Sequence, residues 1–301
     1  MTRQTTGLGS ILILAGRRPG AVDALAEAHG VADKCLVPVA GRPMIAHVLA
    51  SAAASDAPRI FVSSHHEGLA DDLGDIVVDS LGDRLVFVPA ADNLADSVLA
   101  VAEQASFPLL VTTADNCLLT PATIAEIGAE AARLGAEAGV ALARREDVLA
   151  AHPEGQRRFY EFSDVAVSNC NAYWIGHRGA LKAAEAFRGG GQFVKKPIRV
   201  MQAFGLVNLL RFRFGLGPIH HIFGRISRHL RVEVAALLVR DGATAVDVDN
   251  ERSLRATEAI MEKRRPPQRP DADLLLGLDH AGRLDHRLAD AGLVGLSLIH
   301  I

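Results

Sequence analysis

From position 10 to about 190, short apolar and β-branched runs alternate with longer Ala- and Leu-rich stretches whose apolar positions recur every three or four residues. The short runs read as strands and the longer ones as helices with one buried face. Strands are predicted at 10–14, 59–63, 84–89, 109–113, 139–143 and 165–175. In one intervening helix Pro43 sits in the first turn, with Met44, Ile45, Val48 and Leu49 at helical spacing. In another, Thr120 can cap, Pro121 takes the first position, and Ile124, Ile127, Ala131 and Leu134 line one face. Such alternation predicts an α/β fold, a mostly parallel sheet with helices on both faces.

The pattern changes after Gly189-Gly190-Gly191, where a basic, aromatic-containing stretch runs from Lys195 to Arg231. A late β-hairpin is expected next, with strands at 232–240 and 245–248 and a tight turn at Asp241-Gly242. A last helix is expected at 253–263. Three prolines among residues 266–270 stop any helix and mark a linker. The expected organisation is a catalytic domain over 1–264, with 190–231 as a basic insert or lid, followed by a Pro-rich linker and tail over 265–301. Residues 296–301 resemble the translation of a common sequencing-library adapter, and no function is expected of them.

Composition narrows the classes. The chain has 301 residues, 49% of them hydrophobic, with 32 Lys+Arg against 35 Asp+Glu for a net charge of −3. That balance removes the long-range field that draws a whole molecule onto nucleic acid, so no nucleic-acid partner is expected. No apolar run reaches the roughly 18 residues of a membrane span, and the first nine residues are too polar for a secretory signal, so a cytoplasmic location is expected. Cys35, Cys117 and Cys170 are odd in number and follow no CxxC spacing, which fits reduced, buried thiols.

Four segments carry candidate chemistry. Leu14-Ala15-Gly16-Arg17-Arg18-Pro19-Gly20 leaves a buried strand and shows glycines and two cations, a turn whose N–H groups can meet phosphate oxygens. It has neither the GxxxxGKS/T nor the GxGxxG spacing, and a plain strand–loop connection is the competing reading. In Asp33-Lys34-Cys35-Leu36-Val37-Pro38, followed by Gly41-Arg42-Pro43-Met44, a lysine precedes a short apolar strand and a helix start. Asp115 ends an apolar strand at the edge where open α/β sheets bind ligands, although an isolated Asp there can also be a cap. In Val246-Asp247-Val248-Asp249, strand alternation would send both carboxylates to one face, where they repel unless a cation or solvent separates them.

Taken in order, these segments resemble the MobA-like and sugar-nucleotide nucleotidyltransferases, of Rossmann-like glycosyltransferase-A type. The first two match the family's "LAG" and "K-x-L-x-P-x-x-G-x-P-M" opening, the third its "GD-x-P" strand end, and the fourth its closing "V-D/N-D/N-x-x-x-L" element. The resemblance implies that Leu14, Ala15, Gly16, Arg17 and Arg18 wrap the triphosphate of an NTP and that Lys34 neutralises it. It implies magnesium as cofactor, held by Asp115 and by Asp249, with Asp247 the second choice. Arg17 stands where the family has a second glycine, Ala114 where it has glycine and Cys117 where it has proline. Asn93 and Ser97 become candidates for reading the base, with an ordinary N-cap the level alternative for Asn93. Asn169 and Asn171, which would share a face, become candidates for contacting the acceptor, while Trp174 belongs in the core.

The insert supplies Lys195, Lys196 and Arg199, suited to a phosphomonoester acceptor or else a solvated basic turn. The apolar and cationic residues of 204–231 are compatible with peripheral membrane contact, or with a lid helix packed on the domain. The pairs His65-His66 and His220-His221 lack zinc-site spacing and are given no catalytic role. The expected activity is transfer of an NMP group from an NTP to a phosphorylated small-molecule or lipid-headgroup acceptor with release of pyrophosphate. The alternatives are a glycosyltransferase using Asp247-Val248-Asp249 as a DxD motif and a non-catalytic nucleotide-binding regulator.

Overall fold

The structure is a computed structural model that describes residues 7–17, 23–74, 81–185 and 217–265. Its strands are β1 (Ser10–Leu14), β2 (Pro38–Val39), β3 (Arg42–Pro43), β4 (Arg59–Ser64), β5 (Leu85–Pro89), β6 (Leu109–Thr113), β7 (Ala138–Arg144), β8 (Tyr160–Glu161), β9 (Ala166–Ile175) and β10 (Val234–Val239). The described α-helices are α1 (Ala24–Ala28), α2 (Met44–Ala53), α3 (Leu69–Leu73), α4 (Leu94–Ala102), α5 (Pro121–Leu134), α6 (Arg145–Ala151), α7 (Leu181–Glu185), α8 (Ile219–Leu230) and α9 (Glu251–Arg264).

The main sheet has the order β10-β7-β9-β6-β1-β4-β5, with β8 paired to β9. β1 is parallel to both neighbours and β4 to β5, whereas β9 runs antiparallel to β6 and β7. All five residues of β1 are buried, as a strand covered on both faces requires. Ile11 and Ile13 face one apolar cluster with Ile45, Val48 and Leu49 of α2 and Ile124 and Ile127 of α5. Leu12 and Leu14 face another with Val98 and Val101 of α4 and Leu181 of α7. Thr120 caps α5 through its side chain, with Pro121 first in the helix. The six strands expected up to residue 175 are all present, displaced by at most a residue at each end.

The late hairpin is not formed. β10 pairs in parallel with β7, and Gly242–Ala245 is a 3-10 turn instead of a second strand. Asp241 starts that turn by accepting from the Ala243 N–H at 3.2 Å. Ala243, Ala245, Val246 and Val248 are at most 1% exposed, so the core takes up side chains that a hairpin would have placed along a strand. α9 begins two residues earlier than expected because Asn250 accepts from the N–H groups of Arg252 and Ser253.

Of the basic stretch, residues 195–216 lie outside the described residues. α8 buries Ile219, Ile222, Phe223 and Ile226 in a cluster with Leu142, Phe162 and Val167. The sheet therefore covers the apolar side of this helix, and the packed-helix alternative holds for that part of 204–231. Among the described residues, no helix is long and apolar enough to cross a membrane.

Gly242 lies so close to α6 that a Cβ would stand 2.1 Å from the Asp147 carbonyl carbon. Gly242→Ala is expected to destabilise the protein by about 2–3 kcal/mol, since the clash is with backbone. Gly224→Ala, in open space within α8, is expected to stabilise it by about 0.5–1 kcal/mol. Urea midpoints at unchanged slope check both; equal stability in the first variant would show that the turn is not pinned against α6.

Candidate active site

The strand ends around β1 build the cleft. Past its last residue the ladder continues on both sides: the Ala15 N–H reaches the Ser63 carbonyl at 2.8 Å, and the Ala114 N–H reaches the Leu14 carbonyl at 3.0 Å. Gly16 follows where space is short, because a Cβ would meet that of Ala90 at 3.1 Å. The Arg17 side chain is 59% exposed, with its guanidinium 3.9 Å from Asp33. Arg18 lies outside the described residues.

Lys34 opens the 3-10 turn Lys34–Leu36 and sends its ammonium to the end of β6. It donates to Asp115 Oδ2 at 2.7 Å and to Asp249 Oδ1 at 2.6 Å, partners 81 and 215 positions away in sequence. The other Asp115 oxygen accepts from the Thr113 hydroxyl at 2.5 Å. Asn116 anchors the turn from beneath, donating to Thr112 Oγ1 at 3.2 Å and to the Cys170 carbonyl at 2.8 Å. The Val248 N–H donates to the Asp115 carbonyl at 3.1 Å, which joins the closing segment to the strand end. Carboxylate oxygens of Asp115, Asp247 and Asp249 consequently lie within 4.8 Å of one another.

Such crowding shifts the charges. Burial, then the neighbouring Asp249 and Asp115, push the Asp247 carboxyl up to about 7. Burial alone would lower Lys34, but the charges of Asp115 and Asp249 outweigh it and hold the ammonium above the usual lysine range. Lys34 is thus a fixed cation, unsuited to act as a base. The donor set, three carboxylates beside a hydroxyl, consists of the hard oxygens that magnesium favours, and three mutually repelling carboxylates gain from a divalent cation. The residues fit such an ion, with Asp247 joining the two carboxylates expected from the sequence.

On β9 the register against β7 shifts between Val140 and Leu142, opposite Tyr173 and Asn169. Asn171 lies in that irregularity with φ +47°, a left-handed conformation that asparagine tolerates better than most residues. Its amide donates to Asp247 Oδ2 at 3.1 Å. Asn169 donates to Asn171 Oδ1 at 3.0 Å and to the Tyr173 hydroxyl at 2.9 Å. Both asparagines therefore stand at the carboxylate cluster, while Trp174 joins the core.

Asn93 caps α4, accepting from the Asp96 N–H at 3.0 Å and donating to the Asp96 carboxylate at 2.6 Å. Buried Ser97 accepts from the Ala91 N–H at 2.9 Å. Both side chains shape the 91–97 loop. Lys195 and Lys196 lie outside the described residues. Thr113, Asn116 and Tyr173 also belong to the site; a Thr-x-Asp-Asn run at a strand end is the one sequence signal that could have pointed to the first two.

The MobA-like NTP transferase domain family matches residues 11–246. No curated protein matches the sequence. Among solved structures, a hypothetical transferase from Thermus thermophilus is 25% identical, with a TM-score of 0.67, over 82% of this chain and 99% of that one. A 4-diphosphocytidyl-2C-methyl-D-erythritol synthase from Anaerococcus prevotii shares the fold at 8% identity and a TM-score of 0.53, over 84% of this chain and 95% of that one. So does a putative glucose-1-phosphate thymidylyltransferase from Bacillus anthracis, at 16% identity and a TM-score of 0.52, over 86% and 97% respectively.

The raised Asp247 carboxyl has a consequence for stability. Between the unfolded value of 3.8 and about 7 the folded state keeps a proton that the unfolded state has lost, so this contribution is complete below 3.8 and is lost as pH rises through about 7. Without divalent metal, Asp247→Asn should gain melting temperature over the parent progressively from pH 5 to pH 8. Parallel melting curves across that range would show that Asp247 carries no such proton.

Proposed function

Given that the chain belongs to the MobA-like NTP transferase family and is a nucleotidyltransferase, we propose that it transfers an NMP group from an NTP to a phosphorylated small-molecule or lipid-headgroup acceptor, releasing pyrophosphate. The observation that carries this reading is the Lys34 ammonium seated between Asp115 and Asp249 at the end of β6. Asp33, next to Lys34, approaches Arg17 and so ties this cation to the glycine turn after β1.

In this reading, backbone N–H groups of the Gly16–Arg17 turn and the cations of Arg17 and Arg18 bind the triphosphate. Lys34 offsets charge on the α-phosphate and on the departing pyrophosphate, in keeping with its permanent positive charge. Asn169 and Asn171 orient the acceptor, and Lys195 and Lys196 hold its phosphate so that one oxygen attacks in line. Asp115 and Asp249, with Asp247, would hold a magnesium ion, whose charge further offsets that of the transferring phosphorus. Attack is direct, and pyrophosphate leaves as the new phosphoanhydride forms. A phosphorylated acceptor also accords with the putative glucose-1-phosphate thymidylyltransferase that shares the fold.

Pyrophosphate release from each of the four NTPs, with sugar, polyol and lipid-headgroup phosphates in turn, tests the proposal; activity that needs no phosphorylated acceptor would refute it. Asp115→Asn should lower turnover about 100-fold or more, as for loss of one preorganised electrostatic contact, without loss of melting temperature. Near-normal turnover at limiting magnesium would leave Asp115 as a structural partner of Lys34 alone. Replacing Lys195 and Lys196 together with Ala should raise the acceptor KM and leave NTP binding largely intact. A collapse of NTP affinity would move both lysines to the triphosphate.

A further inference from the structure

β4 ends at Ser64, and the next two residues are His65 and His66. The metal-type cluster found among the described residues is the aspartate trio, which includes neither histidine. Their rings reach instead the two segments on which triphosphate binding depends. His65 Nδ1 accepts the Arg17 N–H at 3.2 Å, and its ring lies so close to Gly16 that a Cβ there would stand 3.2 Å from that nitrogen. His66 sets Nδ1 3.4 Å from Asp33 Oδ2 and Nε2 2.6 Å from Asp72 Oδ2, so each ring nitrogen faces a carboxylate. The His66 N–H donates to Ser64 Oγ at 3.0 Å, which holds the strand end that carries both rings.

Asp33 gives these contacts their weight. It is 5% exposed, and its Oδ2 has no hydrogen-bond partner among the described residues. The approach of His66 Nδ1 to that oxygen, at 3.4 Å, falls short of a hydrogen bond, and Arg17 faces the other oxygen from 3.9 Å. A buried carboxylate so thinly compensated is costly, and its position depends on the described side chains that approach it, Arg17 and His66. Asp33 also directly precedes Lys34, and its carbonyl accepts the Leu36 N–H at 3.0 Å, starting the turn that carries the lysine.

We infer that His65 and His66 are positioning residues for the triphosphate of the NTP: His65 holds the Gly16–Arg17 turn in its binding shape, and His66 anchors Asp33 and with it the segment that presents Lys34. The inference rests on the nucleotidyltransferase reading above. An N–H group in a turn needs an acceptor, and a neutral imidazole nitrogen is one that a phosphate oxygen, being charged, displaces readily. The turn is thereby shaped before the nucleotide arrives, and less of the binding free energy goes into ordering it. One dipeptide at the end of one strand thus contacts both the Gly16–Arg17 turn and Asp33.

The test uses the full chain with His65→Ala, His65→Asn, His66→Ala and His66→Gln, and with His220→Ala on α8 as control. Inorganic tripolyphosphate and each magnesium NTP are titrated calorimetrically, and KM values are measured separately for NTP and acceptor. His65→Ala and His66→Ala should each weaken tripolyphosphate and NTP binding about 5- to 10-fold, the scale of one lost hydrogen bond or ion pair. The NTP KM should rise in step while the acceptor KM stays within about twofold, because only the triphosphate arms are released. His65→Asn, which keeps an acceptor, and His66→Gln, which keeps a polar link to Asp33, should recover most of the loss, and the control should bind as the parent does. Unchanged dissociation constants, an acceptor KM that rises equally, or losses that follow melting temperature through every variant would overturn the inference. A parent chain that binds tripolyphosphate and NTP but transfers nothing would sink the proposed reaction while leaving this comparison intact. Full activity in both Ala variants would sink the positioning role alone, and a parent that binds neither ligand would end both.

Discussion

The Lys34 ammonium held between Asp115 and Asp249 is the contact on which the arrangement of the site depends. Three carboxylates within 4.8 Å of one another repel, and a folded chain keeps them together only if the charge is compensated. Two compensations are present: the ammonium between two of the carboxylates, and the raised Asp247 carboxyl that retains its proton toward neutrality. The fold thus carries an electrostatic cost at this cluster, which the ammonium and the retained proton offset.

That arrangement needs the sheet beneath it. β1, β4 and β6 are parallel, so their carboxyl ends open on one edge, and the glycine turn, the histidine pair and Asp115 each follow one of these strands. β9 runs the other way between β6 and β7, and its irregular register turns Asn171 toward Asp247. The Val248 N–H then bonds the closing segment to the Asp115 carbonyl, and the Asn250 cap starts α9. The backbone bond brings the last two carboxylates to the first.

The sequence by itself determined strands β1, β4, β5, β6, β7 and β9 and the Thr120-Pro121 helix start, because these rest on local patterns, two-residue and 3.6-residue periods and capping residues, whereas the expectation that Lys34, Asp115 and Asp249 act together came from the resemblance of their motifs to a family. Tertiary structure alone decided the rest. Asp241-Gly242 reads as a hairpin turn, yet buried Ala243, Ala245, Val246 and Val248 draw the chain into the core, since a dipeptide cannot register which surface waits beyond it. The alternation that paired Asp247 with Asp249 gave no sign that Asp247 is the more buried of the two and keeps its proton, because burial is a property of the packed neighbours. His65 and His66 read as a pair without companions, since Arg17 and Asp33 reach them only once β4 lies beside β1, and Asp72 only once α3 folds back on the strand end. Periodicity and capping act within a few residues along the chain, whereas the charges of the site meet across separations of up to 215 positions, which folding alone brings within hydrogen-bonding distance.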